Sequence, residues 1–370
     1  MRRPSVRAAY VVVMFLLLAA QTASAGNITW DSVNGDISFT SLPGLTPTGV
    51  RGGFATAMVT GAAVPTSVLV NLTTLSVLSL DVPAGYSAVG VTALGPSTNG
   101  LFAVGSTGTP GMPGTEWVVW NAGTATVIPR CAACPAGVYG ISVANTGSSA
   151  GIAGMPARTD GLTMTQLAPT GGYADAISDD GNVVWHSTVP GITVRVGTTD
   201  YHPTTGGPGS ILYTASPSGR YGLFRDPSGL LTVVDRTTWA TMTIPSQDDP
   251  TGISDLLVVT LNDANGNPFV WTPMWGLMSE RDWYMAMMPR LATDSQFLSL
   301  SFGPLAGVGD AGGYQDLVSI GSLDRFQVSD SLVTRSTGTG TPEPGSSFLV
   351  ALGLFAGAGI RRFFSAAKAR

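Results

Sequence analysis

From residue 26 to about residue 335 the chain alternates short apolar runs with clusters of Gly, Pro, Asn and Asp. Four stretches pair two such runs around a polar tip: "TSVLVNLTTLSVLSLDVP" (66–83), "TEWVVWNAGTATVIP" (115–129), "GLLTVVDRTTWATMTIP" (229–245) and "FVWTPMWGLMSE" (269–280). Strand-length apolar runs flanking turn-forming residues predict β-hairpins, and the first three are closed by proline, which cannot extend a ladder. A second pattern precedes several of these: a strand of small residues, a polar turn with Gly, then another strand. It begins near Gly85, Gly137, Gly172 and Gly209, at spacings of 52, 35 and 37 residues.

A unit of roughly 35 to 50 residues holding four short strands has the size of a propeller blade. The pattern therefore predicts an all-β fold, an irregular β-propeller of six or seven degenerate blades. Packed β-sandwich domains or a β-solenoid are the alternatives, because turn-rich strands alone do not fix the architecture. The segment "RDWYMAMMPRLAT" (281–293) breaks the β pattern. Trp283, Met287 and Met288 fall on one helical face before Pro289, so a short helix capping a blade is expected, with an exposed Met/Trp docking surface as the alternative.

Composition supports this reading. Gly (48) and Pro (25) make up about a fifth of the 370 residues, and charged residues only 11%. Sparse charge with 44% hydrophobic residues excludes disorder for the body. The charge is also segregated. Seven of the 18 basic residues lie at the two ends, and all 23 acids lie between Asp31 and Glu343. Without the basic ends, 11 bases face 23 acids, a net charge of −12, which argues against a nucleic-acid partner.

The N-terminus has the order of a secretory signal helix. "MRRPSVR" is basic, residues 8–20 are apolar, and Ala23, Ser24 and Ala25 supply small residues before Gly26. Signal peptidase and the Sec translocon are the expected partners, with residues 1–25 removed. In an exported chain the only cysteines, Cys131 and Cys134 of "RCAACP", are expected to form a local disulfide. Zinc lacks further ligands, since His186 and His202 are distant in sequence.

Catalytic signatures are weak. The two histidines read as structural or solvated, so no base for a serine nucleophile emerges. Only three glutamates exist, and the aspartates fall in turns they favour for local hydrogen bonding, so no glycosidase pair emerges. "NDANGNP" alternates oxygen donors at Asp263, Asn265 and Asn267, but no acidic residue follows at calcium-loop distance. A plain hairpin turn accounts for it. No cofactor or metal is expected, and the body reads as non-enzymatic.

The last thirty residues have three parts. After the Ser/Thr/Gly linker 334–341 comes Pro342-Glu343-Pro344, whose prolines resist helix and sheet. An uncharged run, 346–360, follows, then "RRFFSAAKAR" with Arg361 and Arg362. Fifteen helical residues cover about 22 Å, short of a hydrocarbon core of about 30 Å. The run has no polar face, so it reads as a hydrophobic membrane helix and not as a domain helix.

This order resembles the PEP-CTERM sorting signal (342–370) of exported Gram-negative bacterial proteins. The resemblance implies recognition by an exosortase, a membrane-embedded processing enzyme, with cleavage near Pro342–Pro344. It further implies release to the cell surface and an association with exopolysaccharide and biofilm matrix. In the body (26–333), "ADAISDDGNVVWHS" and "NPFVWTPMWGLMSE" resemble the two halves of HAF-type repeats, which are themselves propeller-like. Ala176, Ile177, Ser178, Asp180, Gly181 and Val183 fit the first half, with Trp185 where that family has Gly. Phe269, Trp271, Gly276 and Leu277 fit the second loosely. The expected role is therefore surface binding or adhesion. An extracellular glycan-acting hydrolase on a propeller scaffold and a calcium-stabilised binding module are the alternatives.

Overall fold

The computed structural model describes residues 27–334, apart from 33–34, 62–65, 109–115, 131–133, 135–136, 154, 169–171, 189–190, 312 and 321–322. Signal residues Ala23, Ala25 and Gly26, Cys131, and the sorting residues Pro342, Glu343, Pro344, Arg361 and Arg362 all lie outside the described residues. Among the described residues no helix is long and apolar enough to cross a membrane.

Seven antiparallel sheets form the seven blades of a β-propeller. Blades I to VI are four-stranded meanders spanning residues 45–79, 91–128, 138–166, 172–201, 211–244 and 249–279. Within each, the first strand is innermost and the last outermost. The hairpins expected at 66–83, 115–129, 229–245 and 269–280 are the outer pairs of blades I, II, V and VI. The small-residue markers Gly137, Gly172 and Gly209 stand at or just before the inner strands of blades III, IV and V.

Blade VII is composite and five-stranded. From the outside in it contains Asn27–Ser32, Gly35–Leu42, Leu323–Ser329, Tyr314–Ser319 and Leu305–Ala311. Gly35–Leu42, second from the N-terminus, pairs with the C-terminal strand Leu323–Ser329 from Ile37↔Val328 to Leu42↔Leu323. This joins the two ends of the body, so the ring has no open seam.

Small residues on the inner strands follow from crowding at the axis, where each inner strand packs against the next and the last against the first. A Cβ on Gly49 would stand 2.0 Å from the carbonyl oxygen of Leu94 in the next blade, and one on Gly95 2.4 Å from that of Ile141. Farther out, tryptophans fill glycine sockets in the following blade. Trp117 of blade II covers Gly140, and its Nε1 donates to Ser149 Oγ at 3.0 Å. Trp185 of blade IV covers Gly222, with Nε1 donating to the Gly219 carbonyl at 2.9 Å. Trp185, which departs from the HAF-type pattern, is thus the wedge between blades IV and V.

The helix Glu280–Met287 links blades VI and VII, capped by Ser279 Oγ accepting from Asp282 N. Trp283, Met287 and Met288 are buried in a cluster with Trp30, Tyr284, Phe297 and Phe326. This face is core packing, not a docking surface.

Candidate functional site

The inner strands share a feature that places the candidate site. Each carries one β-bulge, and the seven bulged residues are Thr48, Leu94, Ile141, Asp175, Tyr213, Thr251 and Ala306. A bulge re-aims one side chain out of the alternating pleat. Here all seven line one central cavity of about 220 Å³. One residue per blade therefore forms a ring about the axis. Asp175 is the only member with a carboxyl side chain.

One end of this channel is closed. Arg51, three residues beyond the blade I bulge, is buried and reaches across the axis. Its Nη1 donates to Ser142 Oγ of blade III at 2.5 Å. Its Nη2 donates to the carbonyl of Ile177 in blade IV at 2.5 Å and to that of Pro217 beyond the blade V strand at 3.1 Å. Asp179 Oδ1 lies 3.0 Å from the same nitrogen. Burial lowers the guanidinium pKa and Asp179 opposes that shift; arginine stays charged regardless.

A belt of turns surrounds this floor. Thr98 Oγ1 donates to Asp179 Oδ2 at 2.7 Å, and Asn145 Nδ2 donates to Thr98 Oγ1 at 2.8 Å. Asp179 N donates to the Pro217 carbonyl, Ser218 Oγ to Asp255 Oδ1, and Asp255 N to Asp310 Oδ2. These turns contain the S-x-D-G element read in the sequence. Ser178 Oγ donates to Asp180 Oδ1 at 2.5 Å and accepts from Val183 N at 2.9 Å, and Ser97 with Asn99 repeats the arrangement in blade II.

The opposite mouth presents half-buried and exposed side chains. Two residues before the bulge, the inner strands of blades III to VI carry Tyr139, Tyr173, Ile211 and Asp249. Tyr173 and Ile211 are more than half exposed. Burial, and the nearby Tyr173 and Asp175, push the Tyr139 hydroxyl pKa up.

Asp175 sits between mouth and floor. It is half-buried and lines the channel, while its Oδ2 is fully buried and has no hydrogen-bond partner among the described residues. Burial pushes its pKa up to about 8, because a low-dielectric site disfavours the charged form. At neutral pH it is a carboxylic acid, able to donate one hydrogen bond and accept others.

The residues singled out from sequence lie elsewhere. His186 is buried in the second strand of blade IV, with neither ring nitrogen partnered, and burial lowers its pKa to about 4. His202 is an exposed loop residue with Nδ1 3.2 Å from Thr193 Oγ1. Asp263 Oδ1 accepts from the backbone of Asn265 and Asn267, so this turn satisfies itself. Among the described residues no group of three His, Cys, Asp or Glu is placed to hold a metal. Cys134, in disulfide form, packs in the blade III core with its sulfur 3.6 Å from Met164 Sδ.

Glycoside hydrolysis needs two carboxylates flanking one bond; among the described residues the channel lining supplies Asp175. Sequence reasoning missed both Arg51 and Asp175. The available signal was a lone charge inside an otherwise small-residue inner strand, in "GYADAI" and "LTPTGVR".

No protein-family model matches the chain. No curated protein matches it either. Among solved structures, a chain of the mitotic checkpoint complex crystal structure aligns over 78% of this chain and 92% of its own, with TM-score 0.47 and 10% identity. The β-propeller domain of Myceliophteria thermophila Cps50 (Swd1) aligns over 82% and 99%, with TM-score 0.43 and 10% identity. These likenesses bring no ligand or activity to this chain.

Proposed function

We propose that this chain is an exported propeller, sorted to the cell surface or extracellular matrix, whose body acts by non-covalent binding at its blind channel. The observation that carries the binding half is a central cavity of about 220 Å³, floored by Arg51 and lined by one bulged residue from each of the seven blades. The sorting half is supported by the order of the Pro-Glu-Pro tripeptide, apolar run and arginine cluster at 342–370. Signal peptidase, the Sec translocon and an exosortase-type enzyme are the processing partners, and exopolysaccharide is the matrix component the body meets.

Fractionating the host and determining the C-terminal residue of the mature protein by mass spectrometry tests the sorting half. A terminus near Pro344 in the surface fraction supports it; an intact Arg370 retained in the inner membrane removes it. Retention of the mature protein on the host's matrix polysaccharide tests the binding half, and free passage through that matrix contradicts it.

A further inference from the structure

In blades II to VI the first two strands are joined at the floor by turns of equal length, residues 97–101, 144–148, 178–182, 216–220 and 254–258. Blades VII and I depart from this. Ala311 pairs with Tyr314, and Arg51 with Phe54, so only two residues separate the strands. In sequence both turns are Gly-Gly followed by an aromatic residue, "AGGY" and "RGGF". Gly52 is held at φ +54°, and a Cβ on it would stand 2.8 Å from the Cβ of Thr98 in blade II, so no side chain can be set there. Two adjacent short turns leave a notch in the belt around the floor, a cavity of about 440 Å³.

The side chains of the notch reach solvent. Phe54, Asn71, Tyr314 and Gln327 line it half-buried, and Thr73 lines it exposed. Phe54 stands opposite Asn71 on neighbouring strands of blade I, and its ring is backed by Gly100, where a Cβ would come within 2.1 Å of it. Asn71 Oδ1 accepts from the backbone of Thr73 and Thr74 at 2.9 Å, which leaves the two N–H groups of Nδ2 as donors. Gln327 donates to Asp316, which leaves its carbonyl oxygen as an acceptor. The hydroxyls of Tyr314 and Thr73 make no side-chain hydrogen bond among the described residues. Asp310, the one carboxyl of the lining, already accepts from Gln315 Nε2 and from Asp255 N.

This inventory narrows the ligand. The volume falls inside the roughly 300–1,000 Å³ of small-molecule sites. No basic residue lines the notch, so nothing pairs an anion, and Asp310 repels one. A cation finds only a carboxyl whose oxygens are both taken. An extended peptide finds no free ladder edge, because every strand lining the notch is paired on both sides. Free amide and hydroxyl groups beside an aromatic face suit a molecule with hydroxyls on its rim and C–H groups on its face.

We infer that this notch is a second binding site, apart from the channel, for a short neutral saccharide. Its hydroxyls accept from Asn71 Nδ2 and Tyr314 OH and donate to Gln327 Oε1, with an apolar ring face against Phe54. Free sugar and the end or branch of a polymer offer the same chemistry.

The test titrates methyl glycosides of glucose, galactose and N-acetylglucosamine, with cellobiose and lactose, into the mature protein, followed by calorimetry and saturation-transfer NMR. Glucuronate, glucosamine and a mixed tripeptide pool are the counterparts. Wild type is compared with Tyr314→Phe, which keeps the ring, and Asn71→Asp, which keeps the turn acceptor and removes the donors. At least one neutral saccharide binds, and each variant weakens it about two- to tenfold, the effect of one lost hydrogen bond. Should Asn71→Asp not fold, Tyr314→Phe decides.

The inference is overturned if no neutral saccharide binds, if a charged sugar or the tripeptides bind best, or if binding is undiminished in either variant. Displacement of the bound saccharide by the host's matrix polysaccharide identifies a polymer as the source; no displacement identifies a free sugar. Retention on the matrix polysaccharide with no effect of either variant overturns the notch and leaves the channel reading standing. Failure of polymer and saccharides alike to bind overturns both.

Discussion

Replacing Glu280 with Gln gives a clean test of the structure away from the channel. Glu280 opens the helix between blades VI and VII and is fully buried. Its Oε1 accepts from Tyr284 OH at 2.8 Å, while Oε2 has no hydrogen-bond partner among the described residues. Burial raises its pKa from 4.5 to about 8. Between those values the unfolded chain has released the proton and the folded chain still holds it. Stability therefore falls as pH rises through this window, by up to about 1.4 kcal/mol per pH unit. From pH 5 to 7 the loss is about 2–3 kcal/mol.

Gln cannot titrate and keeps the acceptor for Tyr284, so this component vanishes in Glu280→Gln. Asp175, Asp310 and Asp316 also have raised values. They titrate in both proteins and cancel in the difference. At about 2–4 °C per kcal/mol for a large domain, the variant's Tm advantage grows by about 4–12 °C between pH 5 and 7. Thermal melts of both proteins in buffers of matched ionic strength measure it. Parallel Tm curves across that range would refute the burial of an uncompensated Glu280.

Other perturbations probe the ring and its plug. Arg51→Met removes the contacts to blades III, IV and V and leaves Asp179 without its cation, so a loss of about 3–5 kcal/mol is expected in denaturant titration. Gly222→Ala places a Cβ 2.3 Å from the Trp185 ring. It should cost about 1–3 kcal/mol through overpacking, whereas Trp185→Phe combined with it should recover part of the loss. Deleting residues 27–42 from the mature protein removes the two outer strands of blade VII and exposes the edge of Leu323–Ser329. Size-exclusion chromatography should then show association or aggregation, and a monodisperse product with an unchanged melt would contradict the closure.

Much of the architecture was legible because blades are local. A four-stranded meander folds within about 30 to 40 contiguous residues, so its hairpins and small-residue inner strand appear in order along the sequence. The outer pairs at 66–83 and 229–245 and the inner strand at Gly172 were readable for that reason. The seventh blade was less legible, because its strands come from residues 27–42 and 305–329, and pairing across that separation leaves no local signature.

The channel was hidden for a related reason. A bulge shifts one residue out of the period-2 pattern, so Asp175 reads as a polar interruption in its strand. Only the ring geometry shows that it shares a cavity with Arg51, 124 positions earlier. Asp180 and Gly181, by contrast, matched a repeat pattern that belongs to the turn below the channel floor. Their role is to close the blade's first hairpin.

The measurement closest to the central claim is a crystal structure of the mature protein soaked with an oligosaccharide cut from the host's matrix polysaccharide. The account predicts sugar bound in the central channel, against the ring of bulged residues that includes Asp175 and Tyr213. A channel holding only water while the oligosaccharide occupies another face of the propeller would contradict it.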